Sequence, residues 1–205
     1  MAKSQAVTGV VLAGGRSRRL GRDKRLEPFA GQPLLSRVMA RLAPVCDALV
    51  AVVADETMED GLPLPAGATL VADRYPGKGS LGGIYTGLAA ASTPWAFVVA
   101  CDMPFLNASL IKHMLSLRRG HDVVVPILDG RPEPTHAAYA QACLPAIKHR
   151  LERDQLKIIG FFDDVRVRYV PEDELRRFDP DLLTFFNINT QADLDRALAL
   201  AKAGC

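Results

Sequence analysis

The stretch that most constrains this chain runs from Val7 to Lys24. An apolar segment, Val7-Thr8-Gly9-Val10-Val11-Leu12-Ala13, opens directly into Gly14-Gly15-Arg16-Ser17-Arg18-Arg19-Leu20-Gly21-Arg22-Asp23-Lys24. A short apolar run without polar alternation, bounded by glycines, reads as a strand buried on both faces. The two glycines at its end let the backbone approach a ligand and aim amide N–H groups at an anion. Between residues 16 and 25 stand six basic side chains (Arg16, Arg18, Arg19, Arg22, Lys24 and Arg25) and one acid, Asp23. Such a run can hold a triphosphate and neutralise charge as pyrophosphate leaves. A merely solvated basic turn would account for the arginines but not for the double glycine after a buried strand. The stretch lacks the Gly-Lys-Ser/Thr ending of a P-loop and the G-x-G-x-x-G spacing of dinucleotide sites.

Further apolar runs recur at Leu49 to Val53, Thr69 to Ala72, Trp95 to Cys101 and Val123 to Val125. Segments of helical period alternate with them. Pro33 suits a first helical turn, and Leu34, Leu35, Val38, Met39 and Leu42 give that helix one apolar face. Ser80 to Ala91 reads as a second helix. Asn107 caps a third, with Leu110, Ile111, Met114 and Leu115 inside and Gly120 placed to end it. Alternation of this kind predicts an α/β sandwich with a largely parallel sheet.

Beyond residue 130 the pattern loosens. Gln141 to Glu152 reads as a helix, Val165 to Val170 as a strand, Glu172 to Arg177 as a helical turn and Thr184 to Ile188 as a strand. A last helix starts near Thr190, where Thr190 and Asp193 have the spacing of a capping box. No repeat or linker divides the chain, so one domain over 1–205 is expected, with 1–130 mainly on the nucleotide side and 131–205 mainly on the acceptor side.

The other polar signals fall where the apolar runs end. In Cys101-Asp102-Met103-Pro104 an acid closes a wholly apolar strand, and a lone carboxylate suffices for a magnesium ion held mainly by nucleotide phosphates. A turn-capping aspartate is the plain alternative. Pro76-Gly77-Lys78-Gly79-Ser80-Leu81-Gly82-Gly83 leads into a helix whose amino end favours an anion, although helix-packing glycines read the same way. Asp73 follows the third strand, as a base or ribose ligand or as a turn aspartate. In Phe185-Phe186-Asn187-Ile188-Asn189-Thr190, strand alternation would put Asn187 and Asn189 on one face. His136, in Pro134-Thr135-His136-Ala137, reads as a structural histidine on a short strand or as a pocket residue.

Composition excludes several classes. The 205 residues are 49% hydrophobic with a formal net charge of +2, too weak a bias for a nucleic-acid binder. Cys46, Cys101, Cys143 and Cys205 form no CxxC pair and read as small apolar residues of a reducing compartment. No apolar run is long enough to span a membrane. A cytoplasmic protein without nucleic-acid or membrane partners is expected.

With those residues laid out, the sequence resembles the molybdenum cofactor guanylyltransferases from Val7 to about Leu200. The motifs are Leu12-Ala13-Gly14-Gly15 with Arg19, Gly21, Asp23 and Lys24; Gly79 to Gly83; Cys101-Asp102-Met103-Pro104; and Phe186-Asn187-Ile188-Asn189-Thr190. The resemblance implies a three-layer, Rossmann-like nucleotidyltransferase fold that moves GMP from Mg-GTP to molybdenum-bound molybdopterin. It implies that Leu12, Ala13, Gly14, Gly15, Lys24, Asp73 and Asp102 bind the nucleotide, with Asp102 also a magnesium ligand. Arg19, Lys24 and Asp102 would be catalytic, and Gly79, Gly83, Asn187 and Asn189 would face the acceptor. Implied protein partners are molybdenum-insertion proteins and molybdoenzymes or their chaperones. A cytidylyltransferase on the same cofactor, or a sugar-phosphate nucleotidyltransferase, would use the same loop and aspartate. A cofactor carrier without activity would not need Lys24 and Asp102.

Overall fold

The computed structural model of the chain describes residues 6–14, 23–54 and 62–203. In chain order the elements begin with β1 (Val7–Leu12), β2 (Pro28–Phe29), β3 (Gln32–Pro33), α1 (Leu34–Leu42), β4 (Ala48–Val53), β5 (Thr69–Ala72), α2 (Gly79–Ala90), β6 (Trp95–Ala100) and α3 (Ala108–Ser116). They continue with β7 (Val123–Leu128), β8 (Arg131–Pro132), β9 (His136–Ala140), α4 (Leu144–Glu152), β10 (Val167–Val170), α5 (Glu172–Leu175) and α6 (Gln191–Lys202). The main sheet has the order β10-β7-β9-β6-β1-β4-β5, with β8 added to β7, and β2 and β3 form a separate hairpin. Only β9 runs against its neighbours on that path, antiparallel to both β6 and β7, while the remaining pairs are parallel.

The apolar strands are explained by cover on both faces. Val7, Val11 and Ala13 pack with Leu35, Val38, Met39 and Leu42 of α1 and with Leu110, Ile111 and Met114 of α3. Val10, Val50 and Val52 turn the other way, onto Leu81, Ile84 and Leu88 of α2, in one cluster with Ile147 and Leu151 of α4. Three layers result, helices on either side of one sheet. A third cluster joins Phe29 of the hairpin, Leu34, Phe105, Ile188 and Leu194 and Ala197 of α6.

The path through the sheet locates its crevice. From β1 the chain steps outward to β4 and β5, then returns to the other side of β1 as β6. The first excursion uses α1 on one face and the return uses α2 on the other. The strand order therefore reverses between β1 and β6, and an open α/β sheet parts its loops at such a point.

Several local expectations hold. Asn107 Oδ1 accepts from the backbone N–H groups of Ser109 and Leu110, capping α3. Gly120, expected to end that helix, has φ 82° but closes the following turn, since α3 stops at Ser116 with Leu117 as its C-cap. Thr190 and Asp193 form the capping box of α6. Others need correction. Thr184 to Ile188 is not a strand: Leu183–Phe185 is a short 3-10 turn, and the chain beyond it is irregular. The helix expected from Gln141 starts as a 3-10 turn over Gln141–Cys143. The α-helix proper begins at Leu144, where Pro145 fits the first turn because its missing N–H has no helical partner there.

Cys101 and Cys143 are buried and Cys46 is half-buried; Cys205 lies outside the described residues. Burial pushes the thiols of Cys46 and Cys143 up to about 12, so both stay protonated. Among the described residues no helix is long and apolar enough to cross a membrane.

One glycine shows how closely α2 lies on the sheet. A Cβ on Gly87 would stand 2.3 Å from Val10 Cγ1 and 3.2 Å from Val52 Cγ2. Gly87→Ala should therefore destabilise the fold by roughly 1–2 kcal/mol, overpacking outweighing the gain of about 1 kcal/mol in helix propensity. Urea unfolding checks this; a stabilised variant would show that α2 is free to lift.

Candidate nucleotide site at the carboxyl edge of the sheet

β1 stays paired on both sides until it meets Gly14. Ala13 N–H donates to Val52 C=O at 2.7 Å, and Cys101 N–H donates to Leu12 C=O at 3.1 Å. At Gly14 the end of β4 comes so near that a Cβ would lie 3.2 Å from the backbone nitrogen of Ala54. A side chain there would be tight against the β4 backbone, which glycine avoids. Leu12 turns toward α2, where a Cβ on Gly83 would lie 3.1 Å from Leu12 Cδ2. Ala13 is buried in the α1 and α3 face. Gly15 and Arg19 lie outside the described residues, as does the side chain of Lys24.

The Lys24 backbone is held in a 3-10 turn, Lys24–Leu26. Asp23 fixes that turn by accepting from the Arg25 backbone N–H at 3.0 Å and from its guanidinium at 2.9 Å. The Arg25 hydrogen bond holds the Asp23 carboxyl below its ordinary range. Arg25, counted with the phosphate cations on sequence grounds, is instead a buried prop of the turn.

Asp73 follows β5, its N–H donating to Val53 C=O at 2.8 Å. Its Oδ1 accepts from Tyr75 N–H at 3.0 Å and from the Thr86 hydroxyl at 2.8 Å. Thr86 Oγ1 in turn accepts from Arg74 N–H at 3.0 Å. One carboxylate oxygen thus ties the turn to α2. The other lies against Gly82, whose added Cβ would meet Asp73 Oδ2 at 3.1 Å and Tyr75 O at 2.9 Å. Gly79 opens α2 with φ 64°, a left-handed conformation glycine adopts without strain. Lys78, just before it, pairs with Asp154 beyond the end of α4 at 2.7 Å.

Asp102 follows β6 by two residues, half-buried, at the same edge as Gly14 and beside the β1–β6 reversal. Its backbone carbonyl accepts from Ile188 N–H at 2.9 Å, which lays the 186–189 segment across the end of β6. Asn187 Nδ2 donates to Phe185 C=O at 3.0 Å. Asn189 and Thr190 donate their backbone N–H groups to Asp193 Oδ2. The two asparagines are therefore neighbours in an irregular segment and not on one face of a strand. Their approach to Asp102 comes from backbone pairing, not from alternation.

Sequence reasoning missed what pins that segment. The buried carboxylate of Asp179 accepts from Leu183 N–H at 3.2 Å and Thr184 N–H at 2.8 Å. The buried Thr184 hydroxyl accepts from Asn107 N–H at 3.1 Å, and Asn107 Nδ2 reaches Phe178 C=O at 2.9 Å. The Asp179-Pro180 pair is the available signal, since Asp before proline favours turn initiation. His136 is wholly buried at the start of β9, edge to face with Phe97 and Phe185 at 5.1 and 4.8 Å. Among the described residues no three His, Cys, Asp or Glu side chains gather as a metal site.

Residues 9–165 match the family described as the MobA-like NTP transferase domain. The chain belongs to that family. It is 40% identical over 201 residues to the molybdenum cofactor guanylyltransferase of Desulfosudis oleivorans, covering 97% of this chain and 98% of that protein. The crystal structure of molybdopterin-guanine dinucleotide biosynthesis protein A from Archaeoglobus fulgidus superposes with a TM-score of 0.84 at 31% identity, over 96% of this chain and 99% of the other. The 4-diphosphocytidyl-2C-methyl-D-erythritol synthase of Anaerococcus prevotii superposes with a TM-score of 0.69 at 15% identity, over 97% of both chains, and so shares the fold alone. This member of the MobA-like family is a nucleotidyltransferase, and the crevice between β1 and β6 is where its fold offers a ligand edge.

Burial pushes the His136 imidazole down to about 3 from its ordinary value of 6.5. Below pH 6.5 the unfolded chain binds a proton that the folded chain refuses. Stability is therefore full above 6.5 and falls as pH drops toward 3, by about 1.4 kcal/mol per pH unit from this group. Urea unfolding at pH 7 and pH 5 should show that loss, and His136→Phe should remove its share. An equal loss in the variant would assign the acid sensitivity elsewhere.

Proposed function

We propose that this nucleotidyltransferase moves GMP from GTP to the terminal phosphate of molybdenum-bound molybdopterin, forming the guanine dinucleotide cofactor and releasing pyrophosphate. The observation that carries the reading is the meeting of Gly14 and Asp102 at the β1–β6 reversal, combined with 40% identity to a guanylyltransferase of that cofactor along almost the whole chain. The cytidylyl alternative draws on likeness of fold only.

In this reading Leu12, Ala13, Gly14, Gly15, Lys24 and Asp73 bind the nucleotide. Gly79, Gly83, Asn187 and Asn189 face the acceptor, so residues 1–130 serve mainly the nucleotide and 131–205 mainly the acceptor. The donor set fits a magnesium ion brought in by the triphosphate, since the edge offers one strand-end carboxylate, Asp102, and no ready-made cluster among the described residues. Bound there, magnesium offsets charge on the phosphate oxygens.

The acceptor phosphate is already an anionic nucleophile, so in-line attack at the α-phosphate needs no strong general base. Catalysis is positioning plus charge neutralisation. Backbone N–H groups near Gly14 orient the phosphates, and Lys24 and Arg19 offset charge on the leaving and attacking groups. The Asp23–Arg25 pair keeps the Lys24 turn in place. The product would pass in the cytoplasm to molybdenum-insertion proteins, molybdoenzymes or their chaperones.

Pyrophosphate release is the direct test, with magnesium, molybdenum-loaded molybdopterin and each of GTP, CTP, ATP and UTP. Release with GTP alone is expected; release with CTP would change the product assigned. Asp102→Asn should lower kcat by on the order of 10²-fold, the scale of losing one charge-stabilising group. Near-normal turnover in that variant would remove Asp102 from the metal site.

A further inference from the structure

Because β9 runs against its neighbours, its first residue, His136, lies at the carboxyl edge with the ends of β1 and β6. His136 pairs in register with Val99, is 0% exposed, and is held between the rings of Phe97 and Phe185. Neither ring nitrogen has a hydrogen-bond partner among the described residues. A neutral imidazole always carries one N–H donor and one acceptor nitrogen. Leaving both unmet in an apolar pocket costs their full desolvation, and a phenylalanine or leucine would fill the space without that cost. The position thus holds a polar group that no described residue uses.

Phe185, whose ring lies on His136, has its backbone carbonyl occupied by Asn187 Nδ2 at 3.0 Å. If Asn187 turns its amide to the acceptor, that carbonyl loses its donor in a half-buried segment. The turn around it is otherwise fixed by Asp179, Thr184 and the Asp102 carbonyl, so the exchange has to be local.

We propose that His136 is a positioning residue for the acceptor side: its imidazole N–H takes over the Phe185 carbonyl when the acceptor draws the Asn187 amide away. This rests on the reading of Asn187 as an acceptor-binding residue. The histidine makes release of Asn187 less costly and keeps the 185–189 segment at one height in both states. No proton is transferred, and the ring stays neutral throughout.

Kinetics and a spectrum of the native protein test it together. His136→Phe keeps an aromatic ring in the pocket but has no donor. Its kcat/KM for molybdenum-loaded molybdopterin should fall about tenfold while the KM for GTP is unchanged, and His136→Gln, with an amide donor, should recover part of the loss. Equal acceptor kinetics in wild type and His136→Phe would overturn the proposal, whereas absence of turnover in the wild type would instead fault the proposed function. In the free wild-type protein, the long-range 1H–15N spectrum of the imidazole should show a neutral ring without a hydrogen bond. Addition of molybdopterin with a non-hydrolysable GTP analogue should move the protonated nitrogen to a hydrogen-bonded shift. A ring already hydrogen-bonded in the free protein, to a trapped water included, would overturn the proposal whatever the kinetics show.

Discussion

Two backbone hydrogen bonds, Ala13 N–H to Val52 C=O and Cys101 N–H to Leu12 C=O, keep β1 locked between β4 and β6 to its last residue. Everything at the carboxyl edge is placed relative to that lock. With both faces of β1 under helices, its polar backbone can meet a ligand only where the strand stops. It stops at Gly14, against the end of β4, while Asp102 stands at the end of the neighbouring β6. In the proposed function, the phosphate-bearing ligand and the Asp102 carboxylate would therefore share one edge of the sheet.

A second constraint joins the two sides of this edge. Phe105, three residues beyond Asp102, meets Phe29 of the hairpin at 5.8 Å and Phe186 at 6.0 Å, both edge to face. Phe29 lies just after the Lys24 turn, and Phe186 just before Asn187. Arg37 reinforces the junction, lying over the Phe29 ring and donating to Pro104 C=O at 3.0 Å. The turn carrying Lys24 and the segment carrying Asn187 thus rest on one small apolar cluster closed by α6. Packed aromatic contacts of this kind transmit small displacements because interiors are dense.

The sequence was most readable where burial was most complete. β1, β4 and β6 are apolar on both faces, so their runs stand out, and the helices between them follow from one-sided periodicity. Caps at Asn107 and Thr190 were legible because their chemistry is local. The segment Thr184 to Ile188 departs from the expected strand because five residues of mixed character satisfy strand alternation by chance. Its conformation is decided by partners far away in sequence, Asn107 and Asp102 among them. Arg25 shows a similar limit: residue type says cation, but only the fold says that Asp23 holds it. His136 proved buried, as the structural reading of a short-strand histidine expects, yet its unmet nitrogens could not be read from residue type.

The proposed function puts the nucleotide's phosphates and their metal between Gly14 and Asp102. A crystal structure of the protein with GTP and manganese in place of magnesium tests it most directly. An anomalous manganese peak beside the Asp102 carboxylate is expected, with the triphosphate over the backbone of Gly14. Nucleotide bound at another edge of the sheet, or metal away from Asp102, would contradict it.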